Sequence, residues 1–157
     1  MKNKAKTQQA TGEQSKESLR TWLRLLSCEA VIEQQLRSLL RQKFAITLPQ
    51  FDVLSELERA GDPLTMSQLS KELMVSNGNV TGVIDRLEKS GFVKRERAEH
   101  DRRVQYIDLT KKGRRDFNKM AASHERWLAE MLSGLSPTDM KNLQRLLLKA
   151  RQSVGNR

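Results

Sequence analysis

The sequence predicts a mainly helical chain interrupted by one β-hairpin, in the order α-α-α-α-β-β-α-α. Three observations predict it. From Leu19 onward, apolar residues return at steps of three and four over most of the chain, the signature of amphipathic helices. Strand-like runs stand out only at Phe92-Val93 and Val104 to Ile107, on either side of a charged connection. Capping and stopping residues fall between the periodic segments, where helices should begin and end.

Residues 1–17 are polar, show no apolar periodicity and are expected to form a flexible tail ahead of a single domain over 18–157. Leu19, Trp22, Leu23, Leu26 and Ala30, then Ile32, Leu36, Leu39, Leu40 and Phe44, describe one long helix. Its stripe shifts near Glu29 and Glu33, so its halves should face different neighbours. Pro49 opens a second helix with Phe51, Val53, Leu54 and Leu57 inward, and Gly61 is placed to cap its end. Thr65 and Gln68 form a capping-box pattern for a short third helix carrying Met66, Leu69 and Leu73. Ser76 can cap a fourth, in which Val80, Val83, Ile84 and Leu87 form one apolar face and which Gly91 stops. Thr110 can cap a fifth helix with Phe117, Met120, Ala121, His124, Leu128 and Met131 on one stripe. Ser136, Pro137 and Asp139 start a sixth, whose seam runs through Met140, Leu143, Leu147, Ala150 and Val154.

Composition narrows the function. The chain of 157 residues carries 29 Lys plus Arg against 19 Asp plus Glu, a net +10 that favours a polyanionic partner such as nucleic acid or an anionic membrane surface. No run of about 18 apolar residues is present to span a bilayer, and the N-terminus lacks the apolar core of a secretory signal. One cysteine, Cys28, leaves no internal disulfide framework or multi-cysteine zinc site and suits a reducing compartment, so the cytoplasm is expected. Only two histidines occur and no Ser-His-Asp or phosphate-loop spacing is present, so neither enzyme activity, a metal nor a cofactor is expected.

The centre of the chain carries the specific signal. A short helix, a tight link and a second helix with one apolar face make a helix-turn-helix, whose second helix is shaped to enter the DNA major groove. Ser76, Asn77, Asn79 and Thr81 offer hydrogen-bonding groups to base edges or phosphates, Gly78 and Gly82 let the backbone approach, and Arg86 reaches toward the phosphate backbone. A hairpin with a basic tip follows at once, which completes a winged helix whose wing lies against the minor groove. Arg95, Arg97, Arg102 and Arg103 lie on this wing. Charge alone does not make the case, because residues 62–110 hold eight Lys plus Arg and eight Asp plus Glu.

The stretch GFVKRERAEHDRRVQYIDLTKKG, Gly91 to Gly113, resembles the signature of the MarR family of winged-helix transcription regulators, with its Gly-hydrophobic-Val-x-Arg strand, Asp-x-Arg wing and Leu-Thr-x-x-Gly helix start. The resemblance implies a DNA-binding lobe over 45–110 and dimerisation helices over 18–44 and 111–157. It implies that Asp101 orients Arg103 for the minor groove. It also implies a homodimer joined through Leu19, Trp22, Leu23, Leu26, Leu143, Leu147 and Ala150, binding a pseudo-palindromic operator as a repressor.

Family members commonly hold a small effector between the dimerisation helices and the lobe. The segment from Leu48 to Val93 resembles most the regulators of aromatic-acid breakdown, some of which respond to aryl-CoA thioesters. Arg20, Arg24, Ser27, Cys28, Phe51, Leu54, His124 and Trp127 are the candidate contacts, although Phe51 and Trp127 read equally well as core, Arg24 as a solvated face and His124 as a satisfied histidine. Two alternatives stay open: a repressor that senses peroxide through Cys28, as some relatives do with a cysteine on their first helix, and a less specific architectural DNA-binding protein.

Overall fold

A computed structural model describes the backbone of residues 2–73, 77–97 and 104–155, and the side chains of these except 2–12 and 77. The expected cap Ser76, the wing pair Asp101 and Arg103, and Arg102 lie outside the described residues. The chain divides into two compact units, Met1–Met120 and Ala121–Arg157.

The first unit opens with α1, Lys2–Phe44, a helix of 43 residues. It includes the segment expected to be a flexible tail. Lys, Gln, Ala and Glu are good helix formers with no proline among them, so a helix nucleated by packing further on propagates through residues that have no apolar stripe of their own. The two halves of the helix differ in burial: residues 13–31 are exposed, whereas Leu36 and Leu40 are buried. Ala45 ends the helix in the left-handed region at φ 56°, its N–H donating to the Arg41 carbonyl at 3.1 Å.

α2, Leu48–Ala60, begins at a capping box: Thr47 Oγ1 accepts from the Gln50 N–H and the Gln50 side-chain oxygen accepts from the Thr47 N–H at 2.8 Å. Sequence reasoning placed this start by Pro49 alone and overlooked the Thr47/Gln50 pair. Gly61 closes the helix at φ 74°, as predicted. Two features follow together. Leu64–Thr65 is a short strand, β1, and Thr65 is also the cap of α3, Met66–Glu72, with the Thr65/Gln68 box formed in both directions. Then come α4, Asn77–Lys89, the strands β2, Val93–Arg97, and β3, Gln105–Leu109, and α5, Lys111–Met131.

β1 corrects the expected two-stranded hairpin. The sheet has three antiparallel strands in the order β1-β3-β2, with Leu64 opposite Ile107 and Val93 opposite Leu109. Two residues are too few to show alternation, so this strand exists only because β3 offers it a free edge. Its effect is to tie the start of α3 to the wing. Leu40, Val53, Leu54, Leu57, Leu69, Val80, Ile84, Leu87, Val93, Ile107 and Leu109 are all buried, contributed by α1 to α4 and by β2 and β3.

The second unit holds the end of α5 and α6, Pro137–Gly155. Ser136 and Asp139 form the predicted cap: the Asp139 N–H donates to Ser136 Oγ at 3.2 Å and the Ser136 N–H to Asp139 Oδ2 at 3.1 Å. The hydrogen bonds from Ser136 hold the Asp139 carboxyl below its usual range. No residue of α6 is buried. No helix among the described residues is long and apolar enough to cross a membrane.

Candidate nucleic-acid interface

α4 is presented on a rigid support. Val80, Ile84 and Leu87 are buried, whereas Gly78, Asn79, Thr81, Gly82, Arg86 and Lys89 are exposed. The glycines are informative because a Cβ at Gly78 or at Gly82 would meet nothing within 4 Å. Neither φ is positive, so no turn demands glycine there. Gly82 in a helix interior costs about 0.5–1 kcal/mol relative to alanine, and no contact among the described residues calls for glycine there.

The wing base is fixed by a cluster that explains the sequence motif. Gly91 turns the chain out of α4 at φ 72°, and the Phe92 N–H donates to the Leu87 carbonyl at 2.9 Å. Thr110 Oγ1 donates to the Gly91 carbonyl at 2.6 Å and accepts from the Gly113 N–H at 2.9 Å, while the Thr110 N–H reaches the Phe92 carbonyl at 3.0 Å. A Cβ on Gly113 would lie 1.9 Å from the Phe92 carbonyl oxygen, so only glycine lets the first turn of α5 lie against the wing. Lys112 Nζ sits 3.7 Å over the Phe92 ring and donates to the Ser90 carbonyl at 3.2 Å. Arg114 pairs with Glu58 at 2.5 Å, joining the start of α5 to α2.

Of the basic residues assigned to the wing, Arg97 is exposed at the end of β2. Arg95 turns toward α4, where its guanidinium pairs with Asp85 and, at 3.2 Å, with Glu88. Lys94 lies 2.5 Å from Glu96 and 3.7 Å from Asp108. The lobe's charge balance is therefore met partly by local pairing.

Beside α4 lies a cleft of about 600 Å³, lined by Arg37, Pro49, Asp52, Leu73, Gly78, Asn79, Gly82, Val83 and Arg86. Glu33 and Arg37 form an i,i+4 ion pair on α1 with Nε to Oε1 at 3.1 Å. Burial and the neighbouring Glu33 carboxylate push the Asp52 carboxyl up to about 6 against the opposing pull of Arg37, although the residue as a whole keeps solvent contact. None of the eight predicted effector contacts lines this cleft. Arg20, Arg24, Ser27 and Cys28 are exposed on α1, while Leu54 is buried and Phe51 stacks on Phe117 at 5.6 Å in the core. In the second unit Trp127 is buried and His124 half-buried, and burial lowers the His124 pKa. Sequence reasoning missed Arg37 and Asp52; the one available signal was a carboxylate set between the inward residues Phe51 and Val53.

A model of the MarR family matches residues 46–104, from just ahead of α2 to the start of β3. The HTH-type transcriptional regulator PecS of Dickeya dadantii (strain 3937) is 32% identical over 116 residues, covering 73% of this chain and 70% of PecS. The chain belongs to the MarR family. YkoM of Bacillus subtilis (strain 168), an uncharacterized HTH-type transcriptional regulator, is 41% identical over 101 residues, covering 64% of this chain and 65% of YkoM. Among solved structures, Streptococcus pneumoniae FabT in complex with DNA matches with a TM-score of 0.73 at 28% identity, over 88% of this chain and 98% of FabT. As a MarR-family regulator the chain binds DNA through a winged helix-turn-helix: α3 and α4 are the helix pair, and β2 and β3 the wing strands.

Proposed function

We propose that this MarR-family regulator acts in the cytoplasm as a homodimeric repressor that reads a pseudo-palindromic operator with α4 and grips the flanking minor groove with Arg103. The observation that carries the reading is Gly82, exposed on a helix whose Val80, Ile84 and Leu87 are buried, with open space among the described residues where a Cβ would lie. Close approach by a base edge or phosphate accounts for glycine there. Ser76, Asn77, Asn79 and Thr81 are the base-facing polar groups, with Arg86, Arg97, Arg102 and Arg103 as the cationic contacts and Asp101 as the residue that orients Arg103.

The dimer is supported by apolar surface left bare. Leu19, Trp22, Leu23 and Leu26 on α1, and Leu143 and Leu147 on α6, are exposed, with Trp22 at 58%. A second copy covers such stripes through a self-complementary contact and places two α4 helices one turn of DNA apart. Release from the operator is assigned to a small aromatic acid or its CoA thioester. The cleft beside α4 supports this by its size, that of a small-molecule site, with Arg37 paired to Glu33 on α1 and Arg86 shared with the DNA-facing side of α4.

A band shift with the region upstream of the protein's own gene tests the reading. Wild type is expected to shift one inverted repeat, and Arg103→Ala to weaken binding while lowering the log-log salt slope by about 0.9. An unchanged affinity and slope rejects the wing assignment, and a footprint spread over unrelated sequence favours an architectural protein. The exposure of Cys28 supports the thiol-based alternative. Peroxide-driven release from DNA that survives Cys28→Ser removes it.

A further inference from the structure

Arg95 has a place in the structure that the wing assignment does not account for. It sits in the middle of β2, opposite the buried Ile107, and its side chain runs to α4. There it meets Asp85 and Glu88, one helical turn apart, with different nitrogens of one guanidinium: Nη2 to Asp85, and Nη1 to Glu88 at 3.2 Å. The Arg95 side chain is 24% exposed, against 48% and 41% for its partners. Its Nε is buried without a hydrogen-bond partner among the described residues. A planar fork held between two carboxylates fixes orientation as well as distance. The cluster also carries one positive and two negative charges, which makes it a poor phosphate contact.

α4 is already attached to the wing at its C-terminal end, where the Phe92 N–H meets the Leu87 carbonyl. The buried face at Val80, Ile84 and Leu87 seats the helix on the lobe. The Arg95 bridge across Asp85 and Glu88 adds a polar tie directly between the helix and the wing strand. We propose that Arg95 is a positioning residue that locks the angle between the recognition helix and the wing, so that base readout by α4 and minor-groove contact by the wing are made in register. The proposal rests on the reading of α4 as the base-reading helix. A reader of sequence must hold its contacting groups to within about 0.5 Å, so loss of the lock costs discrimination between sequences before it costs attraction to DNA.

The two roles for this cluster predict opposite signs. Full-length wild type, Asp85→Asn, Glu88→Gln and Arg95→Met are titrated with the inverted-repeat duplex and with a scrambled duplex of equal length, over a range of salt, after circular dichroism confirms their folds. If the cluster acts only through charge, removing the Asp85 carboxylate tightens binding to both duplexes alike. As a positioning device it does otherwise: Asp85→Asn binds the scrambled duplex tighter but the repeat about fivefold more weakly. Arg95→Met lowers discrimination similarly with its salt slope unchanged, and pairing it with Asp85→Asn adds nothing further. The proposal is overturned if Asp85→Asn keeps the wild-type discrimination, or if Arg95→Met lowers the slope by about 0.9, the mark of a lost phosphate contact. Should Arg95→Met fail to fold, the half-exposed Asp85→Asn and Glu88→Gln decide the matter. A wild type that does not discriminate the two duplexes overturns the base-reading assignment itself, and the lock with it, whereas discrimination kept by both wild type and Asp85→Asn removes the lock alone.

Discussion

α4 and α6 carry nearly the same sequence pattern and meet opposite fates. In α4 the apolar positions Val80, Ile84 and Leu87 are buried to the last few per cent and the polar face is left outward. In α6 the seam through Leu143 and Leu147 is exposed, and Leu146 and Leu148, at 52% and 57% exposure, widen it into a patch. The lesson is that amphipathicity specifies that a face be covered without specifying by what. α4 is completed from within and offers hydrogen-bonding groups to the outside; α6 is left incomplete and offers hydrocarbon. The exposed first half of α1, beside its buried second half, repeats the contrast within a single helix.

The largest effect that would break this comparison is on stability. Ile84→Ala should cost about 2–5 kcal/mol of unfolding free energy, because it opens a cavity in a closed core. Leu147→Ala should cost the isolated subunit well under about 1 kcal/mol. Denaturant melts at concentrations that keep the chain monomeric measure both, and equal losses would mean that α6 is already covered. Next, Leu143→Glu with Leu147→Glu should convert a dimer in sedimentation velocity to a monomer with an unchanged helical signal, and lower affinity for a two-half-site duplex by about a hundredfold, since the link between half-sites is lost.

Gly82→Ala sharpens the view of α4 as a helix with an outward purpose. It is expected to stabilise the fold by about 0.5–1 kcal/mol, and to weaken operator binding by several-fold in the same preparation. Improved stability with undiminished binding would leave the glycine unexplained.

The smallest effect concerns Asp52. Its folded pKa is raised from 3.8 to about 6, so the protonated carboxyl favours the fold. That contribution is full below about pH 4 and is lost as pH climbs through about 6. Melting temperatures between pH 5 and 7.5 should therefore fall more in wild type than in Asp52→Asn, which mimics the protonated form. The difference is modest because the residue keeps solvent contact. Parallel curves would show that the carboxyl titrates normally.

Much of this protein was written in its sequence, and the legible parts share a cause. The caps at Thr65, Thr110 and Ser136, the stop signals Gly61 and Gly91, and the inward stripes of α2 and α4 all depend on residues within a turn or two of one another. The Thr47/Gln50 box belongs with them and was legible although passed over. Gly113 was recognisable as part of a motif, but its reason, a Phe92 carbonyl in the space of its missing Cβ, was not.

What only the tertiary structure decided depends on residues far apart in the chain. β1 is a strand because β3 accepts it, at a separation of more than forty residues. Arg95 is drawn to Asp85 and Glu88, and the carboxyl of Asp52 is perturbed by Glu33, because packing brings separate elements together. Local periodicity determined which residues form helices and which face of each is apolar. The partners of those faces, and the charges that neighbour one another, were set by the fold, since burial and Coulomb interaction act through space and not along the chain.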